Sequence, residues 1–557
     1  MRGYISILSV LFCLACVMHT GAAVRIVEFC PDPYLDDDAD EYLVLSGNGL
    51  LDNITISDNH GGFRFPLGTS LNGFLTVARS AQAYEQSHGR PPDFEWLDYS
   101  PSVPNVINGD PLRMANTGDE LMLYEMGTVI QKISWPKDVE SREGQVHYLE
   151  NGIWDRRILM IGQSRFTTGV FQNVSVTAFV SPDCSNEVFT DAIDRASGTV
   201  FVNMYEFSSP SLGASLVAAK ARGVDVRVLI EGGPVGGISS SEKSLVWTVN
   251  RSGIPVNSMV SSETEHAPYR YDHAKYVIID NNSLLLTSEN FKNSGLPPKG
   301  MSGNRGWGVY IQNSMLAGYF SDVFITDSGS RSVVPYTGSA GDTEPVPGEK
   351  RTPEFRPARF EGATVVPVIA PDTSYQIVDL LDSARTSIEI EQAYIKNETP
   401  YTLNPYLLAA INASRRGVHV RVLLDSYWYN VEGPNDNDEM AALINRIGTS
   451  EHIPLEAKCI DLSVSQVEKI HNKGVIVDDE RVLVSSINWN YNSPNFNREA
   501  GVIIEHPGVA RYFREVFDDD WNPMANMAKP KTDYAKIAVV TLVIVLLLVI
   551  YLRRRRV

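Results

Sequence analysis

Cysteine is scarce in this chain. Its 557 residues include five, and two of them, Cys13 and Cys16, fall in an apolar N-terminal stretch. The other three, Cys30, Cys184 and Cys459, are an odd number and lack the paired short spacings of a zinc or iron–sulfur site. At most one disulfide can join them, and small buried thiols are their ordinary use. Positive charge is also short: 48 Lys and Arg stand against 67 Asp and Glu, a formal net charge of -19. A bulk nucleic-acid binder needs a basic surface that releases counterions from phosphates, so this balance argues against that class, though not against a local basic groove. Between its two ends the chain has no long apolar run. A hydrophobic share of 43% and a charged share of 21% describe a globular chain, not a disordered one. Its length suggests about three domains.

The ends read as addresses. Residues 1–23 carry Arg2, an apolar stretch from Ile5 to Met18, and then Thr20-Gly21-Ala22-Ala23, the layout of a cleavable secretory signal. At the other end, Ile537 to Leu552 is an uninterrupted apolar run of 16 residues, which Tyr534 and Ala535 extend past Lys536. That length is near the lower limit for spanning a bilayer. Arg553 to Arg556 follow at once, and such a basic cluster stays on the cytoplasmic side. The expected arrangement is a single-pass cell-membrane protein with its bulk extracellular, a juxtamembrane stretch over 526–536, a transmembrane helix over 537–552 and a cytoplasmic basic tail over 553–557.

Three globular parts are expected between the ends. Residues 24–138 alternate short apolar runs with turn signals such as Ser46-Gly47-Asn48-Gly49 and Asn116-Thr117-Gly118-Asp119, which predicts a sandwich of short β-strands. A connector over 139–170 follows. From 171 to 330 strands alternate with helical stretches, the pattern of an α/β layer fold. Residues 331–362, rich in Pro, Gly, Glu and Ser, read as a linker, and the α/β pattern then resumes over 363–525.

The two α/β stretches are copies. Ile193 to Val202 (IDRASGTVFV) matches Leu381 to Ile390 (LDSARTSIEI), and Arg222 to Leu229 (RGVDVRVL) matches Arg416 to Leu423 (RGVHVRVL). Such a repeat implies two similar halves facing each other. The chemistry lies in a third matched element. His273, Lys275, Asp280, Ser288 and Asn290 recur as His471, Lys473, Asp478, Ser486 and Asn488, each 198 residues later. One His-x-Lys-x4-Asp match is weak; two in register on matched halves are strong. On a strand, residues two apart share a face, so each histidine points with its lysine. Two imidazoles, two ammonium groups and two amides gathered in one cleft suit a phosphodiester, whose phosphoryl oxygens gain charge during reaction. One histidine can attack phosphorus while the other protonates the leaving oxygen. The motifs contain no metal-ligand set, so no metal or other cofactor is expected.

This duplicated His-Lys-Asp motif with Ser and Asn downstream resembles the phospholipase D superfamily over about 171–523. The resemblance implies a pseudo-twofold α/β sandwich with the site at the seam between halves. It implies that His273 and His471 serve as nucleophile and general acid, and that Lys275, Lys473, Asn290 and Asn488 hold phosphate. It further implies that Ser288 and Ser486 support the loop or phosphate, and that Asp280 and Asp478, though part of the catalytic motif, are structural. One departure concerns the carboxylate that often follows the motif and orients a histidine. In the second half it is Glu499; the first half has Gly306 at that place. Glu499 is therefore expected to hold the Nδ1 proton of His471 and make His471 the nucleophile, while His273 draws on Glu263, Glu265 or Glu289.

The N-terminal part resembles the lamin-tail family, a small immunoglobulin-like sandwich, through Glu41 to Leu45, Phe65 to Thr69 and Ala115 to Leu121. That likeness implies a binding or spacing module, with His60 and His88 as ordinary loop residues. Sequons occur at Asn53, Asn173, Asn250, Asn281, Asn397 and Asn412. Tyr427-Trp428-Tyr429 follows a strand end, where it could line a cleft wall or simply pack. The expectation drawn from all of this is a membrane-anchored extracellular phosphodiesterase that works as a monomer on phospholipid, by hydrolysis or phosphatidyl transfer. A secreted nuclease using the same two histidines, and a non-catalytic surface-binding protein, are the alternatives.

Overall fold

The computed structural model describes residues 23–523 apart from 98–99, 141, 263–264, 347 and 400. The expected signal segment up to residue 22, the membrane helix and the basic tail lie outside the described residues, as does Glu263. Among the described residues no helix is long and apolar enough to cross a membrane. The chain divides into two units: residues up to Gln163 together with 261–268 and 330–332, and the remainder.

The N-terminal unit is a two-sheet β structure. One sheet has Arg25–Cys30, Tyr42–Leu50 and Ser70–Ala78 at its middle; the other has Ile54–Ser57, Thr117–Glu125 and Thr128–Glu140. Strand alternation explains the core. Leu43 and Leu45 turn inward to meet Ile54, Ile56, Leu121 and Leu123, whereas Tyr42 and Val44 turn the other way and pack with Tyr84 of the helix Ala81–His88. Both faces of that strand are thus covered, which is why Tyr42 to Leu45 are all buried. The expected connector over 139–170 is in part sheet. Gln145–Glu150 pairs with Arg25–Cys30, and Ile153–Trp154 and Leu159–Met160 pair with Gln145–Glu150. These strands are too short and too mixed in polarity to show a period in the sequence.

The second unit carries a 15-stranded sheet. At its centre Phe171–Ser181 runs antiparallel to Ala358–Ala370. Outward on one side come Gly306–Gln312, Ser283–Thr287, Lys275–Ile279, Thr199–Met204, Asp225–Glu231 and Val256–Met259. On the other come Glu499–Glu505, Arg481–Ser485, Lys473–Val477, Ser387–Gln392, His419–Leu424 and Leu455–Cys459. The order is the same in both directions, as the internal repeat predicts. Each half has its own apolar core under the helices that connect its parallel strands. A third core is shared, and in it Phe320 and Phe324 of Ser314–Ser328 and Phe513 and Phe517 of Pro507–Trp521 pack with strand residues of both halves. Covered on both faces, strands such as Lys275–Ile279 and Lys473–Val477 are buried throughout.

The stretch 331–362 is not a free linker. Val333–Pro335 adds an edge strand to the first half, and the central strand already begins at Ala358. Between them, Asn293 donates to the Glu344 and Pro345 carbonyls, the Glu354 amide donates to Asp183, and the Arg351 guanidinium lies 3.5 Å from the same carboxylate. Pro and Gly report the lack of a repeating backbone ladder, not the lack of packing.

Candidate active site

Both motif histidines lie just before a buried strand, and the lysines begin it. Lys275 pairs with Met204 and Lys473 with Gln392, at the C-terminal ends of the first parallel strand of each half. Loops leaving that edge of an open α/β sheet are where such folds gather ligands. One carboxylate per half fixes the approach. Glu231 accepts the Asp272 N–H at 2.6 Å, and Asp425 accepts the Ile470 N–H at 2.8 Å, each on the residue before the histidine. These two acids were missed by sequence reasoning. Their signal was present, because both end the matched strands RGVDVRVLIE and RGVHVRVLLD.

The halves are stitched crosswise. The His273 N–H donates to the Arg498 carbonyl at 2.8 Å, and the Arg498 N–H donates to the Tyr271 carbonyl at 2.9 Å. Symmetrically, the His471 N–H donates to the Arg305 carbonyl at 2.9 Å, and the Arg305 N–H donates to the Lys469 carbonyl at 2.8 Å. Both arginines are fully buried, and each is anchored by one acid of its own half and one of the other. Arg305 meets Asp183 and Asp520 at 2.9 and 2.6 Å, while Arg498 meets Asp372 and Asp327 at 2.9 and 2.8 Å. Buried guanidinium groups need this full set of partners, since losing one would strand a charge in the core.

This stitching corrects the expected histidine partners. Glu499 does not hold His471; its Oε2 lies 2.8 Å from Nδ1 of His273, in the opposite half. His471 Nδ1 instead lies 3.4 Å from Oε2 of Glu289, again across the seam, and makes no hydrogen bond among the described residues. The reason is topological, because the segment before each histidine pairs with the Asn-Arg segment of the other half. Glu265, another expected partner of His273, instead pairs with Arg331 in the N-terminal unit. Gly306 explains where the first-half carboxylate went. A Cβ there would lie 2.4 Å from Oε1 and 2.5 Å from Cγ of Glu289. The first half therefore has Glu289 and Gly306 where the second has Ile487 and Glu499, and the acid enters from the neighbouring strand end.

The two histidine–acid pairs are not equivalent. Glu499 also accepts from Ser486 at 2.6 Å, from Asn497 at 3.0 Å and from Ser493. Burial pushes its carboxyl up, but His273, Lys275 and Ser486 outweigh that and hold it below the usual range. Glu289 accepts from Asn304 at 3.0 Å, while its Oε1 has no partner among the described residues. Burial prevails there and pushes its carboxyl up to about 7, against the pull of Lys473 and Lys469. Burial lowers the imidazole pKa of His273, with Glu499 resisting. His471 falls much further, driven by burial and then by Lys473, Lys469 and Lys275.

The lysines are fully buried. Lys275 donates to the His273 carbonyl at 2.7 Å and Lys473 to the His471 carbonyl at 2.5 Å. Burial lowers Lys275 to about 8 despite Glu499, Glu206 and Glu289. Lys473 is lowered further, by burial and by Lys275. Two buried ammonium groups, one of them depressed by the other, are poised for an anion, whose charge would stabilise both.

The remaining motif residues divide. Ser288 and Ser486 are wholly buried, and their hydroxyls are engaged within the protein. The Ser288 hydroxyl oxygen accepts the Trp307 N–H at 3.1 Å, and Ser486 braces Glu499. Asn290 donates to Glu206, and its carboxamide oxygen, like that of Asn488, is buried with no partner among the described residues. Asp280 and Asp478 belong at the far ends of their strands. Asp280 accepts the backbone N–H groups of Ser197, Gly198 and Thr199 at 3.0, 2.6 and 2.9 Å. Asp478 accepts those of Arg385, Thr386 and Ser387 at 3.0, 2.7 and 3.1 Å. Partial burial raises both carboxyls, but these amides outweigh it and hold them low. They clamp a turn and take no part at the cleft.

Among the described residues no cluster of His, Cys, Asp and Glu could hold a metal ion. Tyr205 stands edge-on to His273, with centroids 4.6 Å apart, and its ring lies 5.2 Å from the Lys275 ammonium. It packs that side of the site, where Ala393 occupies the matching place in the second half.

The chain is similar to several known proteins. Among curated relatives, cardiolipin synthase A of Cronobacter sakazakii is 24% identical over 317 residues, 55% of this chain and 60% of its own. Phospholipase D of Rickettsia prowazekii is 30% identical over 138 residues, 25% of this chain and 57% of its own. The chain thus spans about three fifths of the length of the curated relatives it matches. Among solved structures, phosphatidylserine synthase of Haemophilus influenzae Rd KW20 has a TM-score of 0.47 at 14% identity, covering 62% of this chain and 86% of its own. The model of the family described as cardiolipin synthase, PLD-like domain, matches twice, over residues 189–327 and 377–521, half of the chain and both halves of the site. The chain belongs to this phospholipase D-like family.

Proposed function

We propose that the protein is a phosphodiesterase acting on phospholipid, by hydrolysis or phosphatidyl transfer, through a phosphohistidine on His273. The observation that carries this is the crossed pairing, in which each histidine faces a carboxylate supplied by the other half. An ionised Glu499 accepts the Nδ1 proton of His273 and leaves the Nε2 lone pair free to attack phosphorus. The bond from phosphorus to the departing alcohol oxygen breaks, and that oxygen takes a proton from His471. The lysines suppress the His471 imidazolium in the empty cleft; a bound phosphoryl group offsets their charge and restores it. In the second step water, or an acceptor alcohol, gives its proton to His471 and its oxygen to phosphorus, releasing His273. Lys275 and Lys473 face the phosphoryl oxygens as charge develops.

The names of the curated relatives favour phospholipid. A tether by the apolar run Ile537 to Leu552, with the body outside the cell, would hold the cleft beside its substrate. The N-terminal sandwich would serve as a lamin-tail-like binding or spacing module. The test is turnover of labelled phospholipid by the purified full chain, with plasmid DNA as the competing substrate and His273→Ala and His471→Ala as controls. Lipid turnover lost in both variants supports the reading. Plasmid cutting without lipid turnover replaces it with a nuclease, and a radiolabelled phosphoryl group trapped on His471 reverses the assigned roles.

A further inference from the structure

The motif is duplicated, but the charge around it is not. Two residues before His273 stands Tyr271; two before His471 stands Lys469. The Lys469 ammonium donates to the Tyr429 hydroxyl at 2.7 Å and lies 5.3 and 5.9 Å from the ring centroids of Tyr429 and Tyr427. Its hydrogen-bonding partner is therefore a phenol, not a carboxylate. Burial alone would favour loss of its proton, but Tyr429, Glu289 and Asp425 more than reverse that. Its charge reaches both His471 and Lys473. In the first half, the cation nearest the motif asparagine is already neutralised: Lys292 lies 3.0 Å from Glu206, which also accepts from Asn290. The second half has Tyr394 and Asn490 at those two places, hydrogen-bonded at 2.9 Å and uncharged. Val235 stands in the first half where the second carries Tyr429, so the first half has no phenol at that exposed place. Beyond the two motif lysines, a phosphodiester entering this cleft meets Lys469, which has no ion-pair partner among the described residues, on the His471 side, whereas Tyr271 holds the matching place before His273.

We propose that Lys469 and Tyr429 form a second anion subsite on the His471 side of the cleft, which reads a carboxylate or phosphate carried by the departing or accepting alcohol. The proposal rests on the phosphodiesterase reading above, in which His471 faces that alcohol. A cation already hydrogen-bonded to one phenol and set against two neighbouring rings costs little further ordering when it binds an anion. A neutral alcohol gains nothing from it. The substrate class is then a phospholipid whose headgroup alcohol bears its own acid.

The probes are glycerophosphoserine and glycerophosphoethanolamine, which differ by one carboxylate, with binding to the full chain measured by calorimetry. The parent phospholipids are assayed for turnover in mixed micelles. Wild type is expected to bind the serine diester about tenfold more tightly, the scale of one charge-assisted contact. Lys469→Met abolishes that preference and raises KM for the serine phospholipid about tenfold relative to the ethanolamine lipid, while any change in kcat, because the Lys469 charge also bears on His471, is shared by both lipids. Lys469→Arg restores the preference, and an unchanged melting temperature separates the effect from misfolding. Equal binding of the two diesters by wild type, or a preference that survives Lys469→Met, overturns the proposal. A Lys469-dependent binding preference without turnover of either lipid upholds the subsite and overturns only the lipid reading.

Discussion

The two halves share strand order, motif and clamp, yet differ in where each keeps its acid. In the second half Glu499 sits at the start of a strand, bonded to His273 and braced by Ser486, Ser493 and Asn497. In the first half the acid is Glu289, at the end of the neighbouring strand, with one oxygen unpartnered and its histidine 3.4 Å away. A duplicated site can thus keep its cations and still divide its labour. In the proposed mechanism, the fully bonded, ionised carboxylate would fix the nucleophile, while the less bonded one near neutrality would leave its histidine free to change protonation.

The sharpest way to break this comparison is to remove each imidazole. His273→Ala and His471→Ala should each lower kcat by about 10⁴-fold or more. Only His471→Ala should still accept a radiolabelled phosphoryl group from a substrate with a good leaving group. Next in size are the acids. Glu499→Gln should cost at least about 10²-fold in kcat, because the tautomer of His273 is no longer fixed, whereas Glu289→Gln should cost about tenfold or less. Equal losses would remove the distinction.

The pH profile comes third. Burial lowers His273, so its neutral, attacking form should persist below the ordinary imidazole pKa of about 6.5 and be lost only as pH falls further. Lys275 is charged below about 8 and loses its proton above it, so activity should decline on that alkaline side. A bell-shaped kcat/KM with its alkaline limb no higher than about 8, because Lys473 is lowered further than Lys275, and altered in Lys275→Met, is the expected record. Smaller is the effect of Gly306→Ala, whose methyl group would press on Glu289. It should lower unfolding free energy by about 1–3 kcal/mol in denaturant titrations and lower kcat less than Glu499→Gln does. The smallest effect on chemistry belongs to Asp280→Asn and Asp478→Asn. Each weakens a clamp on three backbone amides and should cost about 1–3 kcal/mol of stability, with kcat of the folded protein within about twofold.

Much of this was legible in one dimension. The repeat, the strand–helix alternation and the five matched polar positions come from local composition and spacing, which backbone periodicity translates directly into elements and faces. The β character of residues 24–138 was legible for the same reason. Three things were not. The stretches at 145–160 and 331–362 pair or pack through partners remote in sequence, which turn-rich composition conceals. The buried roles of Ser288 and Ser486 depend on the strand beside them. The acids Glu231 and Asp425 look like ordinary strand ends until the backbone they hold is seen.

By itself, the sequence determined that two copies of one α/β unit would each deliver a histidine, a lysine and an aspartate at fixed spacing, because those relations lie within a single hairpin of about 20 residues. Only the tertiary structure decided which acid serves which histidine. That choice depends on the Asn-Arg segment of one half pairing with the histidine segment of the other, about 200 residues away in the chain. Hydrogen bonds made across a seam between copies leave no periodic trace in either copy, so the partnership of Glu499 with His273 becomes visible only once the halves are joined.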